Sequence, residues 1–528
     1  MALQGTGLGV RVVAESPVAA AAVDAFNRAV LQNRRVSEFL SGHRWRLLHS
    51  EPISQWNELK EQHETHECES VFFDYTRNVT LRVRGRLAAP GAVLLEPSYE
   101  QPLPSEEEFQ EAVALVRQSA VWGPLLAGAQ VLPYHPMPGI LQPDESGQPV
   151  DRTLYVGLVS KPRRFNRIVA VNMIRRQVSR EPVVPKQVRV EGMTCGVPEV
   201  ACAVPRRGTP GSATLSWPAA NPVWQMRVIR PSSSSGKNGS GVDLKDVRYR
   251  GSRVFKEAHM PILNVQYDQD ACGPFRDWLW QETCFDAVGT DVAPGIRMCT
   301  EAPRTILDTG RDGGNFVGVA IFENPDQTLL VTSVTRAGWY RYVMSWIFHL
   351  DGRIEPRFGF DGVANSCVCR AHNHHGLWRF DFDVVQSSNV VEELNGADWT
   401  RLRTETRRLR AAEGAPRWRV RDTRSNAGYE ILSGEEDGVG DAFSGQDFYA
   451  LRYKSRELDD GRTLFGASST ALDRFVGRES LTGDVVVWYG AHFRHVVEEE
   501  PAVLDHDHSS LVGPTLVPFN WPTSPPRR

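Results

Sequence analysis

Two histidines one residue apart, His372 and His374, are the side chains of this sequence best spaced to hold a metal ion. Successive residues of a β-strand point to opposite faces, so both imidazoles would project together, with Asn373 and His375 directed away from them. Imidazoles without a thiolate or an adjacent carboxylate favour copper, zinc or nickel over magnesium or calcium. Two such ligands leave an ion too open to bind tightly, so a third is needed. The run D-V-V-V-W-Y-G-A-H-F-R-H-V-V-E-E-E-P from Asp484 to Pro501 offers His495 and, three residues earlier, His492. Upstream, in T-R-A-G-W-Y-R-Y, Tyr340 and Tyr342 alternate with Trp339 and Arg341. Two further metal-capable runs read as solvated. H-E-T-H-E-C from His63 is a polar turn without His-Glu-x-x-His spacing, and D-H-D-H from Asp505 lies in a C-terminal tail.

The elements that must position these groups are mostly strands. The chain has 528 residues, enough for several domains and a large core. Its 44 glycines and 34 prolines, with many Val, Trp and Phe, lean towards strands and turns. From about residue 245 to 520, short strand-like runs alternate with Gly, Asp and Asn turns, which predicts a large antiparallel β-sandwich. That domain is assigned residues 211–528, including the Ser/Gly-rich loop 231–241 and the tail. Two helix-plus-sheet units are expected before it, over residues 1–98 and 99–210. In the first, Ser16-Pro17 reads as a cap with proline at the first helical position, and Val23, Phe26 and Val30 recur at helical spacing. In the second, Ser105 and Glu108 form a capping-box signature ahead of Phe109, Ala112, Val113 and Val116. The expected class is mainly β with α+β: a β-sandwich carrying the chemistry, preceded by two small α+β domains.

Composition narrows the partners. With 41% hydrophobic residues, 23% charged residues and a formal net charge of −4, nothing favours nucleic acid or an anionic membrane surface. There is no apolar run of transmembrane length and no basic n-region followed by a long apolar core at the N-terminus. The eight cysteines are scattered, form no CxxC pair and do not read as a dense disulfide framework. A cytoplasmic protein is expected, with the sequons at Asn78 and Asn238 as chance matches.

Taken together, these motifs resemble the copper-dependent primary amine oxidases of the topaquinone type. That family carries Asn-Tyr-Asp/Glu-Tyr, an aromatic-rich strand ending in Asp-Gly-x-Ile, then His-x-His and an Arg-x-Asp-x-Asp run. Here the corresponding residues are Trp339-Tyr340-Arg341-Tyr342, Asp351-Gly352-Arg353-Ile354, His372-Asn373-His374 and Arg379-Phe380-Asp381-Phe382-Asp383. The resemblance implies copper on His372, His374 and His495, and topaquinone derived from Tyr340 as the electron sink for amine oxidation. It implies Asp286, in C-F-D-A-V-G, as the base that removes the α-proton, and Tyr267, in N-V-Q-Y, as the hydrogen-bond partner of the quinone oxygen. A peripheral calcium-type site would draw on Asp381, the Phe382 carbonyl, Asp383, Asp484 and Val485. The implied protein is a homodimer that uses dioxygen to convert a small-molecule primary amine to an aldehyde, ammonia and hydrogen peroxide.

Several positions depart from the pattern. Trp339 stands for the asparagine and lacks an amide to orient the precursor ring. Arg341 stands for the acidic residue, putting a fixed positive charge where a cationic amine would arrive and favouring a carboxylate or phosphate instead. Cys284 replaces the gate tyrosine, and D-Q-D-A-C-G-P from Asp268 is inserted. Two other readings therefore stand beside the first: a copper protein of the same fold without topaquinone, doing other oxygen-dependent chemistry in specialised metabolism, and a non-catalytic scaffold.

Overall fold

The computed structural model describes residues 8–15, 18, 20–57, 62–99, 101–102, 104–128, 130–134, 151–160, 166–182, 195–204, 211–231, 240–268, 274–276, 282–365, 367–410, 417–441, 443–453, 472, 476–477, 479–496 and 511–522. The expected cap at Ser16-Pro17 and the D-H-D-H run lie outside these residues.

Two small α+β units precede the sandwich. In the first, helices Ala20–Gln32 and Arg34–Leu40 cover a four-stranded antiparallel sheet of Trp45–Asn57, Gln62–Asp74, Val79–Arg86 and Ala89–Ser98. Phe26 and Val30 are buried against Phe72 and Leu81, as their helical spacing requires. The expected polar turn H-E-T-H-E-C instead forms part of the Gln62–Asp74 strand, paired along its length with Trp45–Asn57. In the second unit, helix Glu106–Gln118 packs on Thr153–Ser160 and Asn166–Asn172. Ser105 caps this helix, accepting the Glu108 N–H at 3.2 Å. Glu108 does not reach back to complete the box. It is buried and holds both Arg152 Nε and Nη2 at 2.6 Å, because a buried carboxylate is retained only where a partner offsets its desolvation.

Two facing sheets form the remainder. One has ten strands, with Ser252–Tyr267, His372–Phe382 and Val485–His495 adjacent near its middle. The other has eleven, with Thr328–Ala337, Tyr340–His349 and Ile354–Gly362 adjacent. Strand Arg11–Ala14 pairs with Ala213–Ser216, so this first stretch belongs to the large sheet and not to the first small unit. A two-residue period fills the space between the sheets. Tyr340, Tyr342, Met344, Trp346 and Phe348 come from one sheet, and His372, His374, Trp378, Phe380 and Phe382 from the other; all are buried. Trp346 meets Trp378 edge-on at 5.2 Å. Gly376 interrupts the second series because a Cβ there would stand 2.7 Å from the Phe358 ring and 2.9 Å from Met260 Cε. The candidate site is therefore the end of the sandwich core, where the same faces turn from aromatic to polar.

Candidate metal centre

Strand register assembles the polar end. Tyr267, His372 and His495 stand abreast on three neighbouring strands, since Tyr267 opposes His372 and His372 opposes His495. Directly opposed residues share a face. His374 lies two residues along on that same face. The His372 ring centroid is 4.7 Å from that of His374 and 4.6 Å from that of His495, and exposure of the three residues is at most 2%. His492 opposes His375 and so falls on the reverse face. Register thus puts His495, and not His492, on the face of His372 and His374.

The facing sheet supplies the phenols. Tyr340 Oη is 2.6 Å from His372 Nε2, and Tyr342 Oη is 3.1 Å from His374 Nδ1. His372 Nδ1 lies 2.5 Å from the Arg370 carbonyl oxygen, which can only accept. Nδ1 therefore carries the hydrogen, and the Nε2 lone pair faces Tyr340. Phe360 stacks on His374 with centroids 3.6 Å apart, fixing the ring from the other side. Tyr267 Oη accepts the Trp339 Nε1–H at 2.9 Å, so Trp339 orients Tyr267 even though it brings no amide to Tyr340. Phe360 and the Arg370 carbonyl were not singled out from the sequence. The alternation of Phe358 and Phe360 within R-F-G-F-D signals Phe360, and a backbone carbonyl such as that of Arg370 leaves no sequence signal. Three buried imidazoles with no thiolate among them form a donor set that suits copper, zinc or nickel, so the residues present fit copper.

Two sequence-derived residues stand differently. Arg341 was expected as a free cation beside the site. It points away from the histidines and is buried, with Nε and Nη2 on Asp312 Oδ1 and Oδ2 at 2.8 and 2.9 Å and Nη2 3.5 Å from Glu199 Oε1. Its charge is thus compensated, and the expected bias towards anionic substrates loses its basis. Asp286 is joined to Arg304 by paired backbone hydrogen bonds, its partly exposed carboxylate 3.9 Å from Arg304 Nη2. Among the described residues, no hydrogen bond, ion pair or ring contact joins Asp286 to the histidine cluster. Cys284 forms a disulfide with Cys202, and Cys195 forms one with Cys369.

The acidic group lies further along the same strands. Asp381, Asp383 and Asp484 bring carboxylate oxygens within 4.8 Å of one another, and the Oδ1 atom of each is buried without a hydrogen-bond partner. Phe382 and Val485 are ladder partners in the same patch. Burial pushes the Asp381 carboxyl up to about 8, against the opposing pull of Arg379 and Lys256, and raises Asp484 as well. Carboxylates this crowded and desolvated suit a hard cation. On the reverse face, burial first and then His492 hold the His375 imidazole down at about 3.

Comparison with solved structures places the whole architecture. A copper-containing benzylamine oxidase from Hansenula polymorpha aligns over 98% of this chain and 94% of its own, with TM-score 0.52 and 12% identity. The lysyl oxidase of Pichia pastoris aligns over 96% and 90%, with TM-score 0.58 and 12% identity. An amine oxidase from Aspergillus nidulans aligns over 93% and 87%, with TM-score 0.55 and 12% identity. No family model matches the sequence, and no curated protein does. At this identity the likeness is one of fold: the chain has the amine oxidase fold from end to end.

Proposed function

We propose that this protein is a copper-binding oxidoreductase that uses dioxygen to convert a small primary amine to an aldehyde, releasing ammonia and hydrogen peroxide. The observation that carries the reading is the meeting of Tyr340 and His372, a phenol oxygen 2.6 Å from an imidazole nitrogen beside two further buried histidines. His372, His374 and His495 would hold copper. The ion, with topaquinone made from Tyr340, would supply the electron sink and oxygen chemistry that ordinary side chains lack.

The chain's own residues would do the positioning. The Arg370 carbonyl and Tyr342 fix the two strand imidazoles, and Trp339 holds Tyr267 ready to hydrogen-bond the oxidised ring. Asp286 is proposed as the base for the amine's α-proton, its partial exposure leaving it open to a substrate arriving from solvent. Asp381, Asp383 and Asp484, with the Phe382 and Val485 carbonyls, would take calcium. The implied homodimer belongs to the same proposal and is checked by light scattering. Among the described residues no helix is long and apolar enough to cross a membrane. The disulfides Cys202–Cys284 and Cys195–Cys369 support an oxidising compartment over the cytoplasm expected from the sequence.

The test is the visible spectrum of copper-loaded, air-exposed protein before and after phenylhydrazine. The expected result is a quinone band that converts to a hydrazone absorbance and is missing in Tyr340→Phe. A second reading, copper and oxygen chemistry with Tyr340 left as a phenol, is favoured by the enclosure of that ring. It is 1% exposed and packed against Phe360, Tyr342 and His374. Copper retained with neither band nor adduct would select this second reading.

A further inference from the structure

We infer a second transition-metal site on the reverse face of the central strand, built from His375, His492 and Asn264. It is independent of the copper reading. Asn264 opposes His375 and His375 opposes His492, so the three form a row abreast, on the other face and three residues along the strands from the Tyr267, His372 and His495 row. Exposure of the three residues is 0%, 1% and 3%. Both amide atoms of Asn264 are buried without a hydrogen-bond partner, as are Nε2 of His375 and Nε2 of His492.

The two imidazoles meet Nδ1 to Nδ1 at 3.0 Å, and hydrogen placement there is in conflict. Asp447 accepts backbone N–H groups from Arg410 at 2.5 Å and Gly440 at 2.6 Å, so it acts as an acceptor. His492 Nε2 lies 2.8 Å from Asp447 Oδ1 without completing a hydrogen bond to it; a His492 hydrogen on Nε2, towards that carboxylate, leaves the Nδ1 lone pair aimed at His375. If His375 carries its hydrogen on Nδ1, it bonds His492 but strands its own Nε2 in the interior. If it carries the hydrogen on Nε2, towards Asp441 Oδ2 at 3.7 Å, two lone pairs confront each other.

A cation between the two Nδ1 atoms removes the conflict. Nitrogens about 2.0–2.1 Å from one ion and roughly at right angles stand about 3 Å apart. Both Nε2–H groups then face carboxylates, the outer-shell arrangement that orients metal-bound histidines. The Asn264 amide oxygen is the third donor. Two imidazoles and an amide oxygen suit a divalent first-row ion such as zinc or copper. The Gly438 N–H meets the His492 carbonyl oxygen at 2.8 Å beside the site, and the part-exposed Asp441 side chain marks the way in.

The test uses the full-length chain, stripped by chelator, loaded with zinc in excess calcium and dialysed. Calcium keeps the acidic group occupied. His492→Gln is expected to retain one zinc fewer per chain than the wild type; equal retention overturns the site. The second measurement is X-ray absorption of zinc bound to the His372→Ala/His495→Ala chain, in which the copper-type cluster is dismantled. Two imidazoles per zinc support the proposal, whereas oxygen-only coordination, or no zinc retained, overturns it.

Discussion

At the level of single residues, Arg341 shows how strand geometry changes the meaning of a substitution. Next to Tyr340 in sequence, it reads as a charge at the reaction centre, but a neighbour in a strand faces the other way, and the bidentate contact with Asp312 absorbs it. Alternation was legible in the sequence. Asp312 was not, because it comes from a separate loop that only the fold brings across. Removing one partner of a buried pair costs up to about 3–5 kcal/mol, an upper bound here because Glu199 stays 3.5 Å from Arg341. Asp312→Asn is therefore expected to lower unfolding stability by that order in denaturant titration, with the Asp312→Asn/Arg341→Met double variant recovering much of it. Tyr340→Phe should behave differently. It loses the hydrogen bond to His372, worth about 1 kcal/mol, so an absent quinone band in that variant would report chemistry and not unfolding.

At the level of strands, a two-residue period made His372 with His374, and Tyr340 with Tyr342, readable as pairs before any fold was known. Which strands stand side by side was not readable, because ladder neighbours such as Tyr267 and His372 are joined by long-range pairing that leaves no local pattern. For the same reason His375 read only as a residue pointing away, and its row with Asn264 and His492 had no signal. Gly376 gives a test of how tightly register holds the centre. Its missing side chain lets the strand approach Phe358 and Met260, and Gly376→Val would force those groups apart. Overpacking of this kind costs about 1–3 kcal/mol. We expect a matching loss in thermal or chemical unfolding, and faster copper release to a chelator because His374 is two residues away on the same face.

At the level of the whole molecule, covalent ties and an acidic cluster join segments distant in sequence. Cys195 and Cys369 are separated by 174 residues, so their pairing had no sequence signature, and the bridge anchors the turn leading into His372. Replacing both with serine should cost about 2–5 kcal/mol, read as a shifted denaturation midpoint. The acidic group links the ends of two central strands and makes stability depend on pH. Burial keeps the Asp381 carboxyl protonated up to about pH 8, whereas in the unfolded chain it ionises near 4. Across that window the unfolded state binds fewer protons, so this group makes the ion-free protein less stable as pH rises from about 4 to about 8, with no further change above. Calcium acts in the opposite sense because it favours the ionised carboxylate and, below about pH 8, must displace the proton first. The rise in melting temperature on adding calcium should therefore be larger at about pH 8.5 than at about pH 6, and Asp484→Asn should reduce it at both. Equal shifts at the two pH values would separate calcium binding from Asp381 and leave its three carboxylates as a purely structural cluster.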